Sequence, residues 1–163
     1  LMSRLDRLTQ IETEVFNLNS FLKNMTDQFQ SKLSDKNQTL NLVMDTPEVN
    51  VNGDQRMLAT AVSAILDNAL RYTPDQGEIT ISGSLQDDEI IINIKDTGSG
   101  IGPEDKNRIF ERFYREDKAH STSGFGLGLP SALRIIMLHD GRIEIESEVN
   151  IGSQFKIVLP QHP

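Results

Sequence analysis

At Asp96-Thr97-Gly98-Ser99-Gly100-Ile101-Gly102, an apolar, β-branched run ends in an acid and then carries glycine at every second position. Glycine has no Cβ, so the backbone here can turn, or approach something closely, where other residues cannot. Residues 89–95 before it read as a strand, and with residues 79–85 across Gln86-Asp87-Asp88 they form an antiparallel hairpin. The chain must therefore fold so that one sheet strand delivers a carboxylate and a glycine loop to the same place.

The rest of the pattern supplies partners for that sheet. Residues 142–147 and 154–159 read as a second hairpin, and 39–44 as a further strand. Asn17 or Asn19 can cap a helix running towards Lys36. After the turn at Asn52-Gly53-Asp54, Asp54 can cap a helix with Leu58, Val62, Ile65, Leu66 and Ala69 on its apolar side, ended by Thr73-Pro74. A short helix starting at Pro103 and another over about 129–139 complete the set. The fold class is α+β, a two-layer α/β sandwich with helices on one sheet face.

Leu1, Leu5, Leu8, Ile11, Val15 and Leu18 recur in steps of three and four, the seam of a helix packing on another helix. An amphipathic helix lying on its own domain fits the same spacing. The start at Leu1 is expected of a piece cut from a longer chain, and processing would look the same.

The carboxylate of Asp96 can accept a hydrogen bond from the exocyclic amine of adenine, which guanine lacks at that edge, while Gly98 and Gly100 leave room for the ring. A tight turn capped by Asp96 fits the same residues. On the helix before it, Asn68, Arg71 and Tyr72 fall at i+4, i+7 and i+8 from Ala64, along one strip. An amide oxygen is a hard ligand for Mg²⁺, a guanidinium pairs with phosphate, and an aromatic ring covers a base or sugar. Alone, the strip reads first as an ordinary half-exposed helix face, with the asparagine satisfied by backbone.

Gly124-Phe125-Gly126-Leu127-Gly128-Leu129 opens an apolar helix, so free amides and the positive end of a helix dipole face out of a glycine loop, as a phosphate seat requires. It has neither the G-x-G-x-x-G spacing of dinucleotide folds nor a Gly-Lys-Ser/Thr. Between the two loops, Ile109-Phe110-Glu111-Arg112-Phe113-Tyr114-Arg115 and the polar run 116–123 read as a lid, anchored by Phe110 and Phe113, from which Arg115 or Lys118 can reach a terminal phosphate. His139, at a helix end before Asp140-Gly141, reads as structural.

Composition narrows the classes. A net charge of -8 argues against a nucleic-acid or anionic-membrane surface. Without cysteine there is no disulfide framework and no thiolate metal site, and three scattered histidines make no zinc motif. Apolar runs such as 132–138 and 90–94 are too short to cross a bilayer, so this piece reads as soluble.

Taken in order, LDNALRYTP with Asn68, DTGSGIG with Asp96, IFERFYR and GFGLGLP closely resemble the N, G1, F and G2 boxes of sensor histidine kinases, and Gly152-Ser153-Gln154-Phe155 resembles their small terminal glycine motif. The resemblance covers roughly residues 10–160 and implies the Bergerat ATP-binding sandwich of the GHKL superfamily. By it, Asn68 holds Mg²⁺ and Asp96 reads adenine. Arg71, Tyr72 and Arg115 contact the nucleotide, Arg71 and Arg115 acting in transfer. Ile101 and Leu129 form pocket walls, and Gly124, Gly126, Leu127 and Gly128 take the phosphates.

The resemblance also implies that residues 1–14 end the second helix of a dimerisation hairpin whose first helix bears the acceptor histidine, with the catalytic ATP-binding domain over 15–163. The implied activity is transfer of the ATP γ-phosphate to that histidine, for relay to an aspartate of a cognate response regulator. The parent would be a homodimeric, membrane-anchored bacterial sensor with this domain in the cytoplasm. One departure stands out: four positions before Asn68, where the family commonly has a polar residue and hydrolysing relatives a water-activating glutamate, this chain has Ala64. An anti-sigma-type serine kinase and a nucleotide-binding docking module without kinase chemistry are the alternatives.

Overall fold

Two-residue periodicity decides where the core lies. In the computed structural model, which describes residues 11–33, 37–44, 48–111 and 128–161, β4 (Glu78–Gln86) and β5 (Glu89–Asp96) form the expected hairpin. Its turn is Asp87-Asp88, at φ of 50° and 63°, the left-handed backbone that suits the twist of a two-residue hairpin loop. On the far side of β5 lie β7 (Gly152–Pro160) and then β6 (Arg142–Glu148), both antiparallel. On the near side β2 (Thr39–Met44) runs parallel to β4, giving the order β2-β4-β5-β7-β6. A parallel pair needs a crossover, made here through β3 (Asn50–Gly53) and α2 (Gln55–Tyr72).

One face of this sheet is apolar. Ile81, Ile94 and Phe155 lie side by side across three strands, and Ile92 and Ile157 sit in the next row with Gly83. The helices cover that face. α1 (Leu18–Gln30) comes so close over β4 that a Cβ on Gly83 would stand 2.9 Å from Leu22 Cδ1. α2 turns Leu58, Ala61, Val62, Ile65, Leu66 and Ala69 inward, and α4 (Gly128–Leu138) adds Ala132, Ile135 and Ile136. Each buried leucine, isoleucine or valine among these contributes about 1.5–3 kcal/mol.

Helix starts follow their caps. The Asn17 side chain accepts from the Ser20 amide at 2.9 Å and starts α1, which ends at Gln30 and passes into a 3₁₀ turn, Ser31–Leu33, rather than running on to residue 36. Asp54 accepts from the Met57 amide at 3.1 Å and starts α2. Pro103 opens the short α3 (Pro103–Lys106).

The helical seam expected to run to Leu18 does not do so. Residues 1–10 lie outside the described residues, 11–13 form no helix, and Glu14–Asn17 is a strand, β1, paired antiparallel with β3. Val15, a seam position, is 68% exposed. Its neighbour Phe16 instead turns inward and meets the Phe21 ring edge-on at 5.3 Å. β1 and β3 form a two-stranded sheet of their own, apart from the five-stranded one.

His139 is structural. Its Nε2 accepts from the Asp54 amide at 2.9 Å, and Nδ1 lies 2.8 Å from the Ile135 carbonyl. An amide can only donate, so the ring is the neutral tautomer with its proton on Nδ1. One buried imidazole thus ties the last turn of α4 to the first turn of α2. We expect His139→Leu to leave the Asp54 amide without its acceptor and cost about 1–3 kcal/mol, read as a lowered urea midpoint. An unchanged midpoint would show that the ring contributes packing alone.

Candidate nucleotide site

The register that builds the core also delivers Asp96. Across the end of the sheet, Leu40, Ile79, Asp96, Ser153 and Ser147 lie opposite one another in a single row. Ile79 belongs to the core, so Asp96, its direct partner, projects from the same inner face and is only 5% exposed. The Gly98 amide donates to Asp96 Oδ1 at 2.8 Å. Burial pushes the carboxyl above the usual aspartate range, and hydrogen bonds from the Gly98 and Ser153 amides partly offset this.

The glycine loop is fixed by protein on two sides. A Cβ on Gly98 would lie 2.6 Å from the Tyr72 carbonyl, which accepts from the Ser99 amide at 3.2 Å. Gly100, at φ +74°, faces the Glu148 carbonyl so closely that a Cβ would stand 2.1 Å from it. The Ile101 amide donates to Ser147 Oγ at 2.7 Å and the Asn150 amide to the Ser99 carbonyl at 2.7 Å, so the β6–β7 turn holds the loop from behind.

On α2, Asn68 and Tyr72 are half-buried and Arg71 is exposed. A cleft of about 410 Å³ opens between the end of this helix and the loop, lined by Arg71, Tyr72, Thr73, Pro74, Asp75, Thr97, Gly98, Ser99 and Asn150. Asn68, Asp96, Ile101 and Leu129 do not line it: Ile101 is buried in the core and Leu129 packs against it. Gly128, at the start of α4, stands against α2, where a Cβ on it would lie 3.7 Å from Ala64 Cβ. The α4 N-terminus thus meets α2 one turn before Asn68. Arg115, Gly124, Gly126 and Leu127, with Phe113 and Lys118, lie outside the described residues.

Residues 53–163 match the family described as histidine kinase-, DNA gyrase B- and HSP90-like ATPases. The chain belongs to this family. It is 39% identical over 132 residues to the sensor-like histidine kinase SenX3 of Mycobacterium tuberculosis, a match covering 79% of this chain and 32% of that protein. It is 35% identical over 163 residues to the sensor histidine kinase RppB of Synechocystis, covering 98% of this chain and 36% of that one. The chain thus spans about a third of the length of the curated relatives it matches. Among solved structures, the nucleotide-free catalytic domain of histidine kinase ThkA superposes with a TM-score of 0.83 at 26% identity, covering 93% of this chain and 97% of that one. The two-layer sandwich is the Bergerat fold of histidine kinase catalytic domains, as the resemblance implied.

Among the described residues no group of three or more His, Asp or Glu could hold an ion. Mg²⁺ normally keeps waters and phosphate oxygens and takes only one or two protein ligands, and the half-buried Asn68 amide is a donor of the type it accepts.

Sequence reasoning missed Ser99, Ser147 and Asn150 as loop supports. Ser99 lies within the glycine motif, but its backbone does the bonding, and Asn150, which acts through its amide from a turn at φ 68°, has no local sequence pattern to mark it.

The raised Asp96 carboxyl sets a pH dependence. The folded domain binds this proton more readily than the unfolded chain, so the stability linked to it is present at or below the ordinary aspartate range, near pH 4, and is lost as pH rises through the raised value. Asp96→Asn should therefore unfold at a higher denaturant concentration than the parent at pH 7, and the gap should close as pH falls to about 4. A gap independent of pH would mean that the charge is not its cause.

Proposed function

We propose that this domain binds ATP with Mg²⁺ and transfers its γ-phosphate to a histidine on a dimerisation domain of the same protein, as the catalytic part of a two-component sensor histidine kinase. The observation that carries the reading is the buried Asp96 carboxylate, on the core face of the sheet end and next to a glycine loop bonded to the end of the Asn68 helix. A carboxylate held with two amides behind it is a fixed acceptor for the adenine amine. Sequence similarity to SenX3 and RppB supports the kinase assignment.

In this reading Asn68 contributes an amide oxygen to Mg²⁺, which supplies charge neutralisation on the phosphates. Tyr72 covers the base or sugar, Arg71 and Arg115 pair with phosphate oxygens, and the loop from Gly124 through Gly126 and Leu127 to Gly128 and Leu129 seats the phosphates at the α4 N-terminus. Gly98 and Gly100 shape the loop, and Ile101 backs it from the core. Catalysis is chiefly positioning and charge neutralisation. Ala64 offers no general base for water, which favours transfer over hydrolysis.

The further partners follow the relatives. ThkA has been solved with the response regulator protein TrrA, at 24% identity to this chain, and we propose a response regulator as the phosphate's destination here. A homodimeric, membrane-anchored bacterial parent with this domain in the cytoplasm completes the proposal. A dimerisation segment ending over residues 1–14, close to where β1 begins at Glu14, belongs to the same proposal.

Calorimetric titration with a non-hydrolysable ATP analogue should give binding that needs Mg²⁺ and excludes GTP. Asp96→Asn should weaken it at least about tenfold, since loss of a buried charged hydrogen bond costs about 1.5–3 kcal/mol. Asn68→Ala should abolish the Mg²⁺ dependence. Equal affinity for GTP, or unaltered binding by Asp96→Asn, would overturn the adenine assignment.

A further inference from the structure

Helix α2 ends at the site, and its end is held by a residue that none of the nucleotide motifs contains. The last carbonyls of a helix have no partner within it. At the end of α2, the Ala69 carbonyl takes the Thr73 amide at 3.0 Å and the Tyr72 carbonyl takes the Ser99 amide at 3.2 Å. The Leu70 carbonyl instead receives the side chain of Gln38, whose Nε2 donates to it at 3.0 Å and to the Thr73 carbonyl at 2.6 Å. Both partners can only accept, so the amide must present its NH₂.

Gln38 stands just before β2, far from α2 in sequence, and is 8% exposed. Its two carbonyls bracket Arg71 and Tyr72. Beyond Thr73, Pro74 has no amide to continue the ladder, so the chain leaves the helix at the point Gln38 grips. The adjoining amide of Thr39 donates to the Gly77 carbonyl at 3.0 Å, pinning the far side of the same turn.

We propose that Gln38 is a positioning residue for nucleotide binding, latching the end of α2 so that Arg71 and Tyr72 stay fixed against the loop carrying Gly98 and Ser99. It touches no reacting atom and acts through the backbone. A freed Leu70 and Thr73 would let the last turn fray, and with it the Tyr72 carbonyl that anchors Ser99. The proposal rests on the nucleotide reading for its consequence, but the latch itself is testable without ligand.

The test uses Gln38→Met, which keeps length and loses both donors, and the milder Gln38→Asn, too short to reach both carbonyls. Leu159→Ala, at the opposite end of the sheet, serves as a control for lost stability. Titration with a non-hydrolysable ATP analogue and Mg²⁺ is paired with amide hydrogen exchange on the free domain. We expect about tenfold weaker binding for Gln38→Met, a smaller loss for Gln38→Asn, and faster exchange at the Thr73 and Ser99 amides, while Leu159→Ala binds as the parent does.

Parental affinity in both Gln38 variants would overturn the proposal, as would an equal affinity loss in Leu159→Ala. If Gln38→Met does not fold, Gln38→Asn decides by the same criteria. If the parent itself binds no analogue, the nucleotide reading fails and exchange alone judges the latch. Faster exchange confined to Thr73 and Ser99 then supports it, and unchanged exchange overturns it.

Discussion

Everything at the candidate site depends on the parity of one strand. β5 alternates Ile90, Ile92 and Ile94 onto the inner face, and two residues further the same alternation brings Asp96 there. A slip of one residue would send Asp96 to the outer face and expose the isoleucines. The hydrophobic effect of three buried isoleucines thus sets the orientation of the carboxylate, and folding and site formation are a single event. The cost is an acid under the helices, relieved by the Gly98 and Ser153 amides, which aligns with a carboxyl shifted upward by burial.

Around that fixed point the remaining parts are joined mainly by backbone hydrogen bonds. The Tyr72 carbonyl meets the Ser99 amide, the Ser99 carbonyl meets the Asn150 amide, and Ser147 Oγ takes the Ile101 amide. Helix end, glycine loop and β6–β7 turn therefore form one connected unit. Gly100 and Gly152 are required within it: at φ +74° and +145°, they bring backbone within reach of the carbonyls of Glu148 and Asp96. Much of the glycine pattern thus answers to protein packing, with no ligand needed to explain it.

This explains what the sequence disclosed and what it hid. The strands of the main sheet were legible because their alternation is long and β-branched, and α2 because Asp54 and Thr73-Pro74 mark its ends. β3 was not, since only Val51 and Gly53 of its four residues are buried and its partner is the equally short β1. β1 was misread because Val15 and Leu18 continue a three-four spacing, although the inward residue is Phe16. Asn68, Arg71, Tyr72 and Asp96 announced themselves by residue type within motifs. Gln38, Ser147 and Asn150 did not, because capping a distant carbonyl or amide leaves no local pattern.

The approach of α4 to α2 bears on the chemistry of Ala64. A Cβ added at Gly128 would stand 3.7 Å from that of Ala64, an ordinary contact, so the two helices meet there through small residues. A long carboxylate at position 64 would have to lie in the space into which α4 begins, beside amides that favour an anion. On the proposed reading, that same space serves the phosphates, and a carboxylate there would both repel them and supply a base for water. Alanine does neither. The close approach of the two helices and the absence of a carboxylate at position 64 both follow from one small side chain, and on the proposed reading a phosphoryl group seated there would be left to a nucleophile from another domain.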